Sequence, residues 1–310
     1  MIASRHPAVR LTLRMSRTIL GALVLLTAMV GCTSGSSTSP GTSIMVVAGE
    51  NFYGDLAARV GGDLVSVTSI LTDPTEDPHT YESSPANAQA VADARLVIEN
   101  GLGYDAFVDH LIGASPRADR TVINVQDLLG IADDVNPHIW YDPQTMPKVA
   151  RAVADALEQL LPGSKTTIEA NLTAYLDSFA PLTARIAALK ATYPGLPVAF
   201  TEPVPGYLIA ALGWQSLTPE GFAKSIEEGT DPAPVDVAAE RDLLTGHRVK
   251  VLLYNSQATS PVTESIRTLA GQSGVPVAGV SETIPVAGQS FVDWQLAQLN
   301  SIDAALGAAK

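Results

Sequence analysis

The chain has 310 residues, 46% of them hydrophobic, which is enough for two domains with sizeable cores. Acidic residues number 32 against 19 basic ones, for a net charge of −13. That balance argues against a general nucleic-acid-binding surface and leaves cation binding open. One cysteine, Cys32, excludes an internal disulfide.

Residues 1–31 read as a signal peptide. Arg5, Arg10, Arg14 and Arg17 supply a basic start, and Met15 is an alternative initiator. Thr18 to Val30 is an apolar run too short to span a bilayer comfortably. It ends in Met29-Val30-Gly31-Cys32, which resembles a lipobox, with cleavage before Cys32 and lipid on its sulfur. Met29 departs mildly from the usual Leu. The mature chain would carry 15 basic and 32 acidic residues, a charge of −17. Residues 32–43 are rich in Ser, Gly and Thr and read as a flexible tether from a membrane to a folded body.

Residues 44–162 read as a first α/β lobe. Ile44 to Ala48 is a short apolar run, expected as a buried parallel strand. Helical spacing follows from Phe52 to Val60, then a second strand at Leu64 to Leu71. Neither GxGxxG nor GxxxxGK[ST] follows the first strand, so nucleotide binding is set aside. The loop after the second strand contains Asp77-Pro78-His79-Thr80-Tyr81-Glu82. His79 is thereby placed beyond a strand end, where open α/β sheets carry ligands. Ser84 to Ala92 reads as a helix and Leu96 to Ile98 as a third strand. A helix with Phe107, Val108 and Leu111 follows, and its His110 reads as a surface residue. Thr121 to Val125 is the fourth strand. A second Pro-His step, Asn136-Pro137-His138, lies beyond it among acidic residues. Imidazole is a good neutral ligand for divalent transition metals, and two such steps reinforce each other. Asp142, before Pro143, reads as the N-cap of the next helix.

The stretch from Gly163 to about Lys190 has apolar residues at Ile168, Leu172, Tyr175, Leu176, Phe179, Leu182, Ile186 and Leu189. Steps of three and four define one face of a helix. Its length of roughly 42 Å is more than one small domain needs. Residues 163–192 are therefore expected as a rigid helix joining two lobes, bent at Pro181.

Residues 193–310 read as a second α/β lobe. Strands are expected at Leu196 to Phe200, Val249 to Tyr254 and Val275 to Val280. Leu217 to Phe222 reads as a connection, Pro234 to Leu244 and Val262 to Leu269 as helices, and Phe291 to Leu306 as the closing helix. Glu202 and Glu282 each follow a strand end. Their two charges match one divalent cation, which lowers the cost of taking the ion from water.

These residues carry a resemblance to the metal-binding lipoproteins of bacterial ABC importers for manganese or zinc. The matching segments are DPHTYE (77–82), ENGLGYDAF (99–107), NPHIWYDP (136–143), TEPVPGYL (201–208) and SETIP (281–285). The resemblance implies two α/β lobes, each with a mostly parallel sheet flanked by helices, joined by one long rigid helix. It implies one divalent ion, Mn2+ or Zn2+, held by His79, His138, Glu202 and Glu282. Glu282 is the weakest match, because Asp is usual there. Glu202 stands where manganese-type members carry Glu and zinc-type members His, and no His-rich loop precedes His138. Both features favour manganese. The implied setting is the extracytoplasmic face of the cell envelope: a lipid-anchored monomer, not an enzyme, serving a membrane permease. The rivals are a metallohydrolase, which lacks an HExxH motif here, and a surface adhesin with incidental histidines.

Overall fold

Two parallel sheets organise the described part of the chain, and each keeps its site-bearing loops at the carboxyl ends of its strands. The computed structural model describes residues 43–73, 75 and 81–308. The expected signal peptide, Cys32, nearly all of the tether and His79 lie outside the described residues.

The first sheet contains β1 (Ile44–Glu50), β2 (Val65–Leu71), β3 (Leu96–Glu99) and β4 (Thr121–Asn124) in the order β2-β1-β3-β4. All its pairs are parallel, with Ile44 opposite Val65, Val46 opposite Leu96 and Leu96 opposite Thr121. Val46, Val47 and Ala48 are fully buried, as a strand covered on both faces requires. The helices of this lobe are α1 (Asn51–Gly61), α2 (Pro85–Asp93), α3 (Ala106–Ala114), the short α4 (Val125–Leu129) and α5 (Thr145–Leu160). Ser84 caps α2 by accepting from the Asn87 N–H, with Pro85 in the first turn.

The expected joining helix is realised as two consecutive helices, α6 (Lys165–Asp177) and α7 (Ala180–Thr192). The break falls at Ser178–Phe179, and Pro181 is its cause. Proline has no N–H to donate, and its ring collides with the carbonyl four residues earlier. That residue is Asp177, where α6 ends. One apolar face is kept across the break: Ile168, Leu172, Tyr175, Phe179, Leu182 and Leu189 are all buried. Asn171 donates to the Val60 carbonyl at 3.1 Å and fastens α6 to α1.

The second sheet contains β5 (Pro197–Phe200), β6 (Gln215–Ser216), β7 (Leu252–Asn255) and β8 (Val277–Val280), again all parallel, in the order β6-β5-β7-β8. Around it lie α8 (Gly206–Leu212), α9 (Glu220–Glu227), α10 (Pro234–Thr245), α11 (Pro261–Gln272) and α12 (Phe291–Ala308). Arg185 of α7 bonds Asp303 of α12 at 2.8 Å.

Three expectations are corrected. The segment 217–222, read as a plain connection, is preceded by β6 and runs into α9; both elements are too short for periodicity to reveal. Val125 begins α4 instead of ending β4, because the Asn124 side chain accepts from the Asp127 N–H and caps the helix. Asp142 is not the N-cap of α5, whose cap position is Gln144. The Asp142 carboxylate instead accepts from the Gln144 N–H at 2.9 Å and closes a turn. Ile139–Tyr141 occupies a single tight 3₁₀ turn just before it, and that turn moves the helix start.

The largest cluster of buried apolar side chains runs without interruption through both lobes. It includes Val46 and Ile98 from the first lobe, Leu172 and Leu189 from the joining helices, and Leu253 and Trp294 from the second. Trp140 belongs to it, with Phe52 stacked at 4.6 Å and Tyr104 at 4.9 Å. A shared core resists wide hinge opening, which ordinarily needs a few unpacked residues between bodies. Small-angle scattering of the mature protein with and without Mn2+ or Zn2+ is therefore expected to give nearly equal radii of gyration. A decrease of several Å on metal addition would refute this rigidity.

Candidate metal centre

Strand order decides where the side chains meet. In each sheet the chain switches sides between the two central strands, and α/β sheets carry ligands outside the carboxyl ends of strands at that point. In the second sheet the switch lies between β5 and β7. Glu202 follows β5, and Asn255 is the last residue of β7. Glu282 lies just beyond β8. Both glutamates and Asn255 are buried.

The Asn255 side-chain amide donates to both glutamates: to Glu202 Oε2 and, at 2.7 Å, to Glu282 Oε1. The Glu282 loop is held along its length. Gln257 Oε1 accepts from the Glu282 and Thr283 N–H groups at 2.6 and 2.9 Å. Tyr141, from the first lobe, donates to the Ser281 carbonyl at 2.7 Å. The Asn51 side chain both donates to and accepts from the Ile284 backbone at 2.9 Å.

The first lobe contributes His138 and Tyr104. The Asn100 amide holds the Pro137 carbonyl at 2.9 Å and so positions the loop of His138. Asn136 Oδ1 accepts from the His138 backbone N–H at 3.0 Å and lies 2.7 Å from His138 Nδ1. The Asn136 amide donates to the Pro203 carbonyl, which fixes its orientation and makes its oxygen the atom facing the imidazole. That oxygen requires Nδ1 to carry the proton, leaving the Nε2 lone pair for a ligand role. Nε2 is directed at Glu282 Oε2, 3.4 Å away. Tyr104 donates to the same oxygen at 2.8 Å. Burial, then the Glu282 charge, pushes the Tyr104 phenol well above its ordinary range, so it remains a donor at neutral pH. The turn that delivers Tyr104 has positive φ at Gly101, where a Cβ would come within 2.7 Å of Asn124 Oδ1.

Electrostatics at His138 are opposed. Burial disfavours the imidazolium, but Glu227, Glu282 and Glu202 favour it, and the balance raises its pKa above 6.5. A surplus of carboxylate around one imidazole is an environment suited to a cation.

Of the four residues singled out in the sequence, the structure brings His138, Glu202 and Glu282 into one buried neighbourhood, drawn from both lobes. His79 lies outside the described residues. Among the described residues alone, no group of three or more His, Cys, Asp or Glu is arranged to hold a metal ion. Asn255 stands between the two carboxylates. His110 is exposed on α3, as expected. Asn255, Tyr104, Asn136 and Glu227 are not marked as site residues by the sequence. Tyr104 and Asn136 lie inside segments that carried the resemblance, but nothing in the spacing around Asn255 or Glu227 announces a site.

Known proteins share this architecture. The family profile described as "ZnuA: Zinc-uptake complex component A periplasmic" matches residues 46–305. The chain is similar to manganese-binding lipoprotein MntA of Halalkalibacterium halodurans, with 27% identity over 271 residues, covering 84% of this chain and 86% of that one. It is similar to high-affinity zinc uptake system protein ZnuA of Haemophilus ducreyi, with 24% identity over 277 residues, covering 78% and 85%. In fold it resembles the periplasmic zinc binding protein TroA from Treponema pallidum, with a TM-score of 0.73 at 20% identity, covering 85% of this chain and 99% of that one. The profile match over most of the chain, on the two-sheet fold just described, shows that the protein belongs to the ZnuA family of metal ABC transporter substrate-binding proteins.

Proposed function

We propose that this protein captures one divalent transition metal ion, with manganese favoured and zinc as the alternative, and delivers it to an ABC-type permease from a lipid anchor on Cys32. The observation that carries the reading is the convergence of His138, from a loop of the first lobe, with Glu202 and Glu282, each just past a strand end of the second. His79 completes the proposed set. Two imidazoles and two carboxylates suit a borderline divalent ion and neutralise its charge. The hard oxygen of Glu202, where an imidazole would suit zinc better, is the reason manganese is favoured. The curated relatives carry both metals in their names. The family is one of transport components, whereas a hydrolase would need an open coordination position with a general base beside it.

Calorimetric titration of the mature protein with Mn2+ and Zn2+ tests the reading. One ion per chain is expected, and Glu202→His is expected to shift preference toward zinc. Absence of heat with either metal would favour an adhesin with incidental histidines, and metal-dependent turnover of an ester or peptide would favour a hydrolase.

A further inference from the structure

We infer that Asn255 is a specificity-determining residue of this site: by holding one oxygen of each glutamate, it limits both carboxylates to a single metal bond and so restrains the preference for manganese. The inference rests on the metal-binding reading above.

A primary amide has two N–H donors and one carbonyl acceptor. Asn255 Oδ1 accepts from the Gln257 N–H at 3.0 Å. A flipped amide would lose that bond and turn an oxygen toward two carboxylates, so the orientation is set. Both N–H groups are then engaged, one with Glu202 Oε2 and one with Glu282 Oε1. The backbone of Asn255 is fixed as well: it is fully buried at the end of β7, and its N–H donates to Thr201 Oγ1 at 3.0 Å. The clamp is therefore part of the sheet and cannot swing aside readily.

The remaining oxygen of Glu282 is the one that faces the histidine. Oε2 lies 3.4 Å from His138 Nε2 and also accepts from Tyr104 at 2.8 Å, a mobile hydroxyl that can turn while the Asn255 amide is fixed in the sheet. Two ligands of one tetrahedral ion with bonds of roughly 2.1 Å are separated by about 3.4 Å. The spacing thus suits one bond from each group to a shared ion.

Denticity then bears on the choice of metal. Zinc is content with a few ligands bound through single bonds in a tetrahedral shell. Manganese favours more oxygen ligands in a near-octahedral shell, and a carboxylate that closes with both oxygens supplies them. The clamp opposes that closure at both glutamates. Glu202 draws the site toward manganese through its hard oxygen, and Asn255 draws it back by limiting the number of oxygens.

X-ray absorption on the mature protein loaded with Zn2+ alone, and with Mn2+ alone, reads the coordination directly. Competition titration reads the preference. In the parent, zinc is expected with single carboxylate bonds. Asn255→Ala is expected to add at least one oxygen to the manganese shell and to raise affinity for manganese relative to zinc at least tenfold. Should Asn255→Ala lose its cooperative melt, Asn255→Leu, which keeps most of the volume without the donors, carries the same comparison. Carboxylates bound through both oxygens in the parent, or an unchanged metal ratio in a folded variant, would overturn the inference. A parent that binds neither metal would instead refute the function proposed above. A merely structural role for Asn255 would weaken both metals equally and leave their coordination numbers alone.

Discussion

His138→Ala is expected to weaken binding of both Mn2+ and Zn2+ by on the order of 100-fold or more, since losing a group that only hydrogen-bonds a metal ligand already costs roughly tenfold to 100-fold. The imidazole is buried and packs edge-on against Tyr104 and Trp140 at centroid distances of 5.7 and 5.2 Å. Its proton sits on Nδ1, against Asn136, and its other nitrogen faces Glu282. The variant removes a neutral donor while leaving two carboxylates in place, so residual binding should come mainly from charge and should be more sensitive to salt. In the parent, protons compete with the metal for the same nitrogen. Because the surrounding carboxylates hold the metal-free imidazole above its ordinary value of 6.5, affinity should begin to fall at a pH above that value as the solution is acidified. Calorimetry at several pH values, with circular dichroism to check the fold, would measure this. A His138→Ala protein that is folded and binds either metal within about threefold of the parent would remove His138 from the site.

Glu50→Gln is expected to stabilise the protein, and to do so increasingly as pH rises. Glu50, the last residue of β1, is fully buried, and its carboxylate oxygens have no well-formed hydrogen bond among the described residues. Its neighbour is the buried carboxylate of Asp105, which accepts from the Asn100 and Gly101 N–H groups at 2.6 and 2.9 Å. Two carboxylates in such a place are compatible only if they share a proton. Burial, then the Asp105 charge, pushes Glu50 well above the carboxylate range, and burial pushes Asp105 up to about 6 against the opposing pull of its backbone donors. The folded chain therefore holds a proton that the unfolded chain releases above about pH 4.5. The stability contribution of Glu50 is full below that pH and is lost progressively as pH rises toward its folded pKa. Glu50→Gln keeps a donor toward Asp105 without a titrating proton. Its melting temperature should match the parent near about pH 4 and exceed it by a widening margin as pH rises from there. Each unit by which the folded pKa exceeds the unfolded one is worth about 1.4 kcal/mol, or roughly 3–5 °C for a body of this size. Parallel melting curves across that pH range would show that Glu50 is not protonated in the folded state.

The sequence alone determined the alternation of strands and helices, because a buried parallel strand must be a short apolar run and a covering helix must repeat every three to four residues. It also determined that Glu202 and Glu282 lie just beyond strand ends, since each follows the close of a short apolar run, whereas His138 is separated from β4 by α4. Pro181 announced the bend of the joining helix for a local reason, the missing N–H. The start of α5 was misplaced because a 3₁₀ turn at Ile139–Tyr141 leaves no periodic trace. What only the tertiary structure decided is how distant segments converge. The side chains of Asn255, Tyr104 and Asn136 are ordinary polar residues in sequence, and they joined the candidate site when the strand ends of two sheets were pressed together across a shared core. Glu50 and Asp105 likewise look like surface acids in the sequence. Their shared burial, and the proton it demands, follows from a contact between distant parts of the chain that no local pattern encodes.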